Sequence, residues 1–367
     1  MNSSIIKIKK FLEKKKFKKI FVITGKQSFT KSGAKNIFSN LLLNKQVIFF
    51  FKQKNFPELS ELKKILVKLR SFKPDLILAI GGGSVIDYAK IANVIENRKN
   101  IKNLIRNYSY PIKKKFTKLV VVPTTAGSGA EVTSNAVIYV NGIKYSFENK
   151  LLTPDFFFLL PELILNASYK IKASSGFDAI AQATESLLSL NSNKYSINYA
   201  SKSLKISLKN FYYFLKSPNK ENSKRMLIAS NLAGRAINIS KTTAPHAISY
   251  PFTSLYNVSH GHAVSLFFEN IMKFNFDKIE ISSTKFDLYK RFKLIFDLYE
   301  VGNIDEFYFK LIKIKKIGKL TDNFKRLKIF EINPKQIIKG VNLLRLKNNP
   351  VKIDKIDLIK IIKQKTI

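Results

Sequence analysis

Residues 76–90 read LILAIGGGSVIDYAK, and this stretch decides the architecture. Residues 76–80 form a short apolar run bounded by glycine, the pattern of a fully buried strand. Gly81, Gly82, Gly83 and Ser84 follow at once, and a helix pattern opens behind them. A strand that ends in glycines just before a helix lets backbone N–H groups approach a phosphate closely. Working outward, residues 19–24, 46–51 and 119–122 are three more short β-rich runs. Helical patterns lie between them, at residues 32–43 and at 58–70, where Leu59, Leu62, Ile65, Leu66 and Leu69 share one face. Strands alternating with helices at this spacing predict an α/β domain with a parallel, doubly wound sheet. Residues 135–145 interrupt the alternation with a hairpin turning at Asn141-Gly142.

From about residue 163 the strand-like runs stop. Long helical patterns take over, broken at Ser217-Pro218, Asn333-Pro334 and Asn349-Pro350. Two domains are expected: residues 1–162, α/β, and residues 163–367, all-α. At about 150 residues per domain, 367 residues suffice for both.

Composition removes several alternatives. With no Cys, a disulfide scaffold, a thiolate nucleophile and a Cys-ligated metal are excluded. No apolar run approaches the ~18 residues of a membrane span, so no membrane partner is expected. The start, Met1-Asn2-Ser3-Ser4 followed by Ile alternating with Lys, lacks the apolar block of a signal peptide, and a cytoplasmic location is expected. The charge is +40, from 65 Lys+Arg against 25 Asp+Glu, yet Arg stands at only eight positions. A groove built to read phosphates favours Arg for its bidentate fork. Here Lys is spread along the whole chain beside many Ile, Asn and Phe, residues with A/T-rich codons. Genomic base bias accounts for that excess, and no specific nucleic-acid partner is expected. The positive field still favours an anionic substrate.

A second glycine-rich turn, PTTAGSGAEVT at residues 123–133, follows the fourth strand and brings Thr124, Thr125 and Ser128 hydroxyls. Neither turn matches G-x-G-x-x-G or a P-loop. Two of them at successive strand ends point to a nucleotide or phosphate site all the same. All three histidines, His246, His260 and His262, fall within 17 residues. Upstream, Asp178 and Gln182 are four residues apart on one helical face in SSGFDAIAQATES. Asp, an amide oxygen and two imidazoles make an O/N set for Zn²⁺ or Fe²⁺. Read singly, Asp178 also suits a helix cap and a His beside Gly a turn.

Together GGGSVIDYAK, PTTAGSGAEVT, GFDAIAQATES, APHAISYPFTSLYNVSHGHA and the closing NNP at residues 348–350 resemble the iron-containing (group III) alcohol dehydrogenase family, over essentially the whole chain. The resemblance implies a dehydroquinate synthase-like architecture, with a cleft between a dinucleotide domain and a helical metal domain. It implies hydride transfer between NAD(P)H and a carbonyl polarised by a divalent metal, Fe²⁺ or Zn²⁺, in a homodimer. Carried over position by position, the metal ligands fall on Asp178, Gln182, His246 and His260. Gln182 departs from the usual His. Tyr250 stands where many members carry a proton-relaying His, and His262 is expected near the nicotinamide or substrate. Gly81, Gly82, Gly83, Ser84 and Asp87 are expected around the pyrophosphate, with Thr124, Thr125 and Ser128 beside the nucleotide. Gly25, followed by Ser28, replaces the Asp of NAD-preferring members and removes its repulsion of a 2′-phosphate.

Within the family, NLAGRAINISKTTAPHAISYP at residues 231–251 resembles the branch that reduces phosphonoacetaldehyde to 2-hydroxyethylphosphonate. Arg235 and Lys241, with the Thr242 and Thr243 hydroxyls, are the expected holders of such a small anionic aldehyde. The alternatives are a general alcohol or lactaldehyde dehydrogenase and, on the same fold, a sugar-phosphate cyclase.

Overall fold

The computed structural model describes residues 3–364. It divides into two compact units, Met1–Ala167 with Asn219–Leu227, and Ser168–Pro218 with Ile228–Ile367. The division falls slightly beyond the expected 162/163. The helix α7 (Glu162–Leu165) still belongs to the sheet, because Leu163 packs into its core.

In the first unit, strands β1 (Lys19–Gly25), β2 (Gln46–Lys52), β3 (Leu76–Gly81), β4 (Lys118–Pro123) and the late β7 (Phe156–Phe157) form one parallel sheet. Its order is β2-β1-β3-β4-β7, and β5 (Asn135–Val140) with β6 (Ile143–Glu148) makes a separate hairpin. Asn141 and Gly142 both take positive φ, 53° and 77°, as a two-residue primed turn requires. Alternate residues of each central strand serve opposite faces. Phe21, Ile23, Ile77, Ala79 and Val121 join one core with helices α4 (Leu59–Phe72) and α5 (Gly83–Ala92). Ile20, Val22, Leu78, Ile80 and Val122 join the other, where the helices α1 (Ser3–Lys14) and α3 (Ala34–Leu41) lie, with α2 (Lys26–Lys31) before the latter. A sixth helix, α6 (Ile101–Arg106), precedes β4. Strands buried on both faces explain the unbroken Val/Ile/Leu runs. The order reverses between β1 and β3, which puts the ligand crevice of such sheets beyond their carboxyl ends, at Gly25 and Gly81.

The second unit is helical. Its centre is α8 (Tyr169–Leu188), buried at nearly every position from Lys172 to Leu188, and α9 (Lys194–Lys216) packs along it. A helix that is apolar or small all round reads as central. Ser168 caps α8 by accepting the Ile171 N–H at 3.3 Å. The helix α10 (Lys220–Ser240) is followed by α11 (Ala244–Tyr256) and the short α12 (His260–Ser265). Pro251 lies inside α11 and cannot donate to the Ala247 carbonyl, which accepts the Asn342 N–H at 3.3 Å instead. No helix among the described residues is long and apolar enough to cross a membrane.

Candidate metal and cofactor sites

In the helical unit the chain brings Asp178, His246 and His260 together, with one ligand atom of each within 4.8 Å of the others. Asp178 comes from α8, His246 from the first turn of α11 and His260 from the start of α12. His246 Nε2 is 3.2 Å from Asp178 Oδ1, and His260 Nε2 is 3.9 Å from the same oxygen. Gln182, one turn along α8, donates its amide N–H to Asp178, while its Oε1 is buried without a hydrogen-bond partner among the described residues. An orphaned buried oxygen beside a carboxylate and two imidazoles fits a divalent cation, which would satisfy all four at once. The Tyr250 ring stacks on His260, centroids 5.9 Å apart, and so lies at the rim of the trio.

Close packing of α12 on α8 makes this geometry possible. A Cβ on Gly261 would lie 1.9 Å from the Ser174 carbonyl oxygen and 2.9 Å from Asp178 Cβ. Only glycine lets the two backbones approach so closely, and His260 is its neighbour.

Electrostatics follow from burial. Burial works against charge on His246, but Glu185 and Asp178 outweigh it and lift its pKa to about 10. Burial likewise pushes the Asp178 carboxyl up, and His246, His260 and the Gln182 amide more than offset it, holding the group below the ordinary range. The metal-free ring is therefore protonated at neutral pH, and metal uptake must displace that proton. Apparent Zn²⁺ affinity is expected to rise with pH, by about tenfold per unit from pH 6 to 9. Competition with a chromogenic chelator checks this, and a flat profile would contradict it.

Other expected site residues have partners of their own. His262 stands two positions after His260 on α12, roughly opposite it on the helix, and its Nε2 contacts the Thr321 carbonyl at 2.7 Å. Thr243 is consumed inside the unit, its hydroxyl donating to Glu185 at 3.0 Å. Arg235 donates to Asn231 at 3.0 Å and lies over Tyr199, while Lys241 takes a left-handed φ of 63° and donates to the Asn238 carbonyl at 3.2 Å. Two residues carry weight that the motifs leave unassigned. Asn348 of the NNP landmark donates to Ser189 Oγ and to the Ser240 and Thr242 carbonyls at 2.8–3.0 Å, holding the link that leads into α11. Glu185, fully buried, faces His246.

In the first unit the two glycine turns lie against each other. Thr124 N–H donates to the Gly81 carbonyl at 3.1 Å. A Cβ on Gly82 would stand 3.3 Å from Thr125 Oγ1, and one on Gly83 would stand 3.1 Å from Ser128 Oγ. Ser84 lies in the first turn of α5, behind its cap residue Gly82. At the end of β1, Ser28 Oγ donates to the Gly25 carbonyl at 3.1 Å. The register partner of Gly25 is Lys52, whose Cε lies 3.8 Å from where a Gly25 Cβ would be. Asp87 accepts the Val137 N–H of β5. Burial lifts its pKa to about 6 against the pull of Lys90 and Lys144. Lys90, drawn down by burial to about 8, donates to the Thr133 carbonyl and hydroxyl at 2.8 Å and to the Asn135 carbonyl at 3.0 Å. Lys90 thus ties the first turn's helix to the second turn at Thr133, and Asp87 ties it to β5 of the hairpin.

Glycine turns at the switch point of a parallel sheet suit a nucleotide, and an Asp/His/His trio in a helical unit suits a divalent metal. The family models agree: residues 2–161 match the iron-containing alcohol dehydrogenase model, and residues 172–365 match the C-terminal model of the Fe-containing alcohol dehydrogenase family. The chain belongs to the iron-containing alcohol dehydrogenase family. It is 34% identical to 4-hydroxybutyrate dehydrogenase of Clostridium kluyveri over 55% of each chain. It is 29% identical to the bifunctional aldehyde-alcohol dehydrogenase of Escherichia coli, over 75% of this chain and 32% of that one. It spans a third or less of the aldehyde-alcohol dehydrogenases of Entamoeba histolytica and Streptococcus pneumoniae, covering 33% and 26% of them. Among solved structures, sulfoacetaldehyde reductase from Bifidobacterium kashiwanohense in complex with NAD⁺ superimposes with a TM-score of 0.87 at 23% identity, covering 99% of this chain and 95% of that one. An iron-containing alcohol dehydrogenase from Thermotoga maritima gives 0.76 at 26% identity, with the same coverage.

Proposed function

We propose that the protein is a metal-dependent NAD(P)H aldehyde reductase whose substrate is a short anionic aldehyde, phosphonoacetaldehyde first among them. The observation that carries the reaction class is the convergence of Asp178, His246 and His260, with the partnerless oxygen of Gln182 beside them. Bound there, a divalent ion supplies Lewis-acid polarisation of a carbonyl oxygen, and the nicotinamide supplies a hydride. Asp178, His246 and His260 hold the ion, and Gln182 completes or braces the set. Tyr250, stacked on His260, would give a proton to the product oxygen. Aldehyde, NAD(P)H and one proton become alcohol and NAD(P)⁺.

Backbone N–H groups at Gly82, Gly83 and Ser84 and the hydroxyls of Thr125 and Ser128 hold the pyrophosphate of the dinucleotide. With Gly25 and Lys52 side by side, the end of β1 offers no carboxylate of its own and a nearby amine, so NADPH is accepted. Gly25→Asp is expected to raise the KM for NADPH by about tenfold or more while changing the KM for NADH little. Equal effects on both cofactors would remove this role.

Support for an anionic substrate comes from the resemblance of residues 231–251 and from the fold shared with a sulfoacetaldehyde reductase. The local hydrogen bonds of Arg235 and Lys241 favour the second reading, a reductase of neutral aldehydes. NADPH oxidation with phosphonoacetaldehyde beside propanal separates the two. Preference for the phosphonate supports the first reading, and turnover of propanal alone supports the second.

A further inference from the structure

Asp178, Gln182 and Glu185 are four and three residues apart on α8, so a single helix face carries all three. The first two belong to the metal trio and its surroundings. Glu185 lies at the next position along, fully buried, with no lysine or arginine among its hydrogen-bond partners in the described residues. Its Oε1 accepts the Thr243 N–H at 2.9 Å, the Thr243 hydroxyl at 3.0 Å and the His246 N–H at 3.4 Å. Its Oε2 makes a short contact with His246 Nδ1.

We propose that Glu185 is a positioning residue: it takes the hydrogen bond from His246 Nδ1–H, fixes the ring's plane and tautomer, and so aims Nε2 at the point shared with Asp178 and His260. The role rests on the metal-dependent reading above. The contacts divide by oxygen. Oε1 is locked by the N-terminal N–H groups of α11 and by the Thr243 hydroxyl, which immobilises the carboxylate. Oε2 is given to the imidazole. A residue that merely capped α11 would need the Oε1 contacts and not the second. His246 faces a carboxylate on each side, since Nε2 is 3.2 Å from Asp178. Asp178 is already engaged by His260 and Gln182, whereas Oε2 of Glu185 has His246 as its partner. A carboxylate behind a ligand imidazole sets which nitrogen keeps its proton and strengthens the other as a donor. Thr243 and Asn348 extend this support outward, the one to Glu185 and the other to the Ser240–Thr242 link.

The chain has three histidines, so its ¹⁵N-histidine spectra hold three sets of signals, assigned with His260→Ala and His262→Asn. In the Zn²⁺-loaded wild type, the His246 signal is expected to show a protonated Nδ1 and a coordinated Nε2. In Zn²⁺ competition against a chelator, Glu185→Gln is expected to weaken binding by about 10–100-fold. A proton on Nε2 with Nδ1 coordinated overturns the role, and so does Zn²⁺ affinity of Glu185→Gln within about twofold of wild type. Should Glu185→Gln fail to fold, the wild-type spectrum decides alone. A wild type that takes up no Zn²⁺ overturns the metal reading itself, and this role with it.

Discussion

Replacing His246 with alanine is expected to lower kcat/KM by about a thousandfold or more and to leave the protein without its ion. The ring touches Asp178 on one side and Glu185 on the other, at the heart of the trio. Its loss removes a metal ligand and leaves two buried carboxylates facing a cavity. Breaking a buried ion pair by deleting one partner destabilises by about 3–5 kcal/mol, because the surviving charge has no compensation. Metal-free His246→Ala should therefore melt below metal-free wild type. Urea unfolding checks the stability, and metal analysis of the purified variant checks the ion. A variant that keeps its ion and its turnover would move the site away from α11.

The second large effect is expected at Gly261. The atoms a new Cβ would meet are the Ser174 carbonyl and Asp178 Cβ on α8, at 1.9 and 2.9 Å. The nearest of them is backbone, and α8 is the buried centre of its unit, so α12 must yield instead. Gly261→Ala is expected to destabilise by about 3 kcal/mol, at the upper end of overpacking effects. It should also weaken Zn²⁺ binding, because His260 retreats from Asp178 with the helix. An alanine variant with wild-type melting and wild-type Zn²⁺ affinity would show that this contact does not set the site. The prediction differs in kind from that for His246, since Gly261 carries no chemistry and acts only by letting two helices touch.

Much of this was legible in the residues. The parallel sheet shows in apolar runs of four or five residues, because its central strands, buried on both faces, have few polar positions to blur them. The hairpin shows because Asn141-Gly142 can take the left-handed backbone that its turn demands. The trio shows because so few histidines in so long a chain fall so close together. What stayed hidden depends on direction rather than residue type. His262 and His260 look alike in sequence, and helical spacing turns them apart. Thr243 looks like a free hydroxyl until Glu185 is seen to occupy it. Glu185 itself sits in the quoted GFDAIAQATES segment, and its spacing of seven from Asp178 on one helix was the available signal. Asp87 follows the glycine turn, and nothing in the sequence marks its hydrogen bond from the Val137 N–H, 50 residues later on β5. The packing of Asn219–Leu227 with the first unit has no mark in sequence, because α10 runs through that point as one uninterrupted helix.

The central claim is that Asp178, His246 and His260 form a metal centre on which aldehyde reduction depends. Its most direct test is NADPH and NADH oxidation by the wild-type protein as purified, after chelator stripping, and after reloading with Fe²⁺ or Zn²⁺, with bound metal measured in each state. About one ion per chain is expected, with loss of turnover on loss of the ion and recovery of both together on reloading. Undiminished turnover in metal-stripped protein would contradict it.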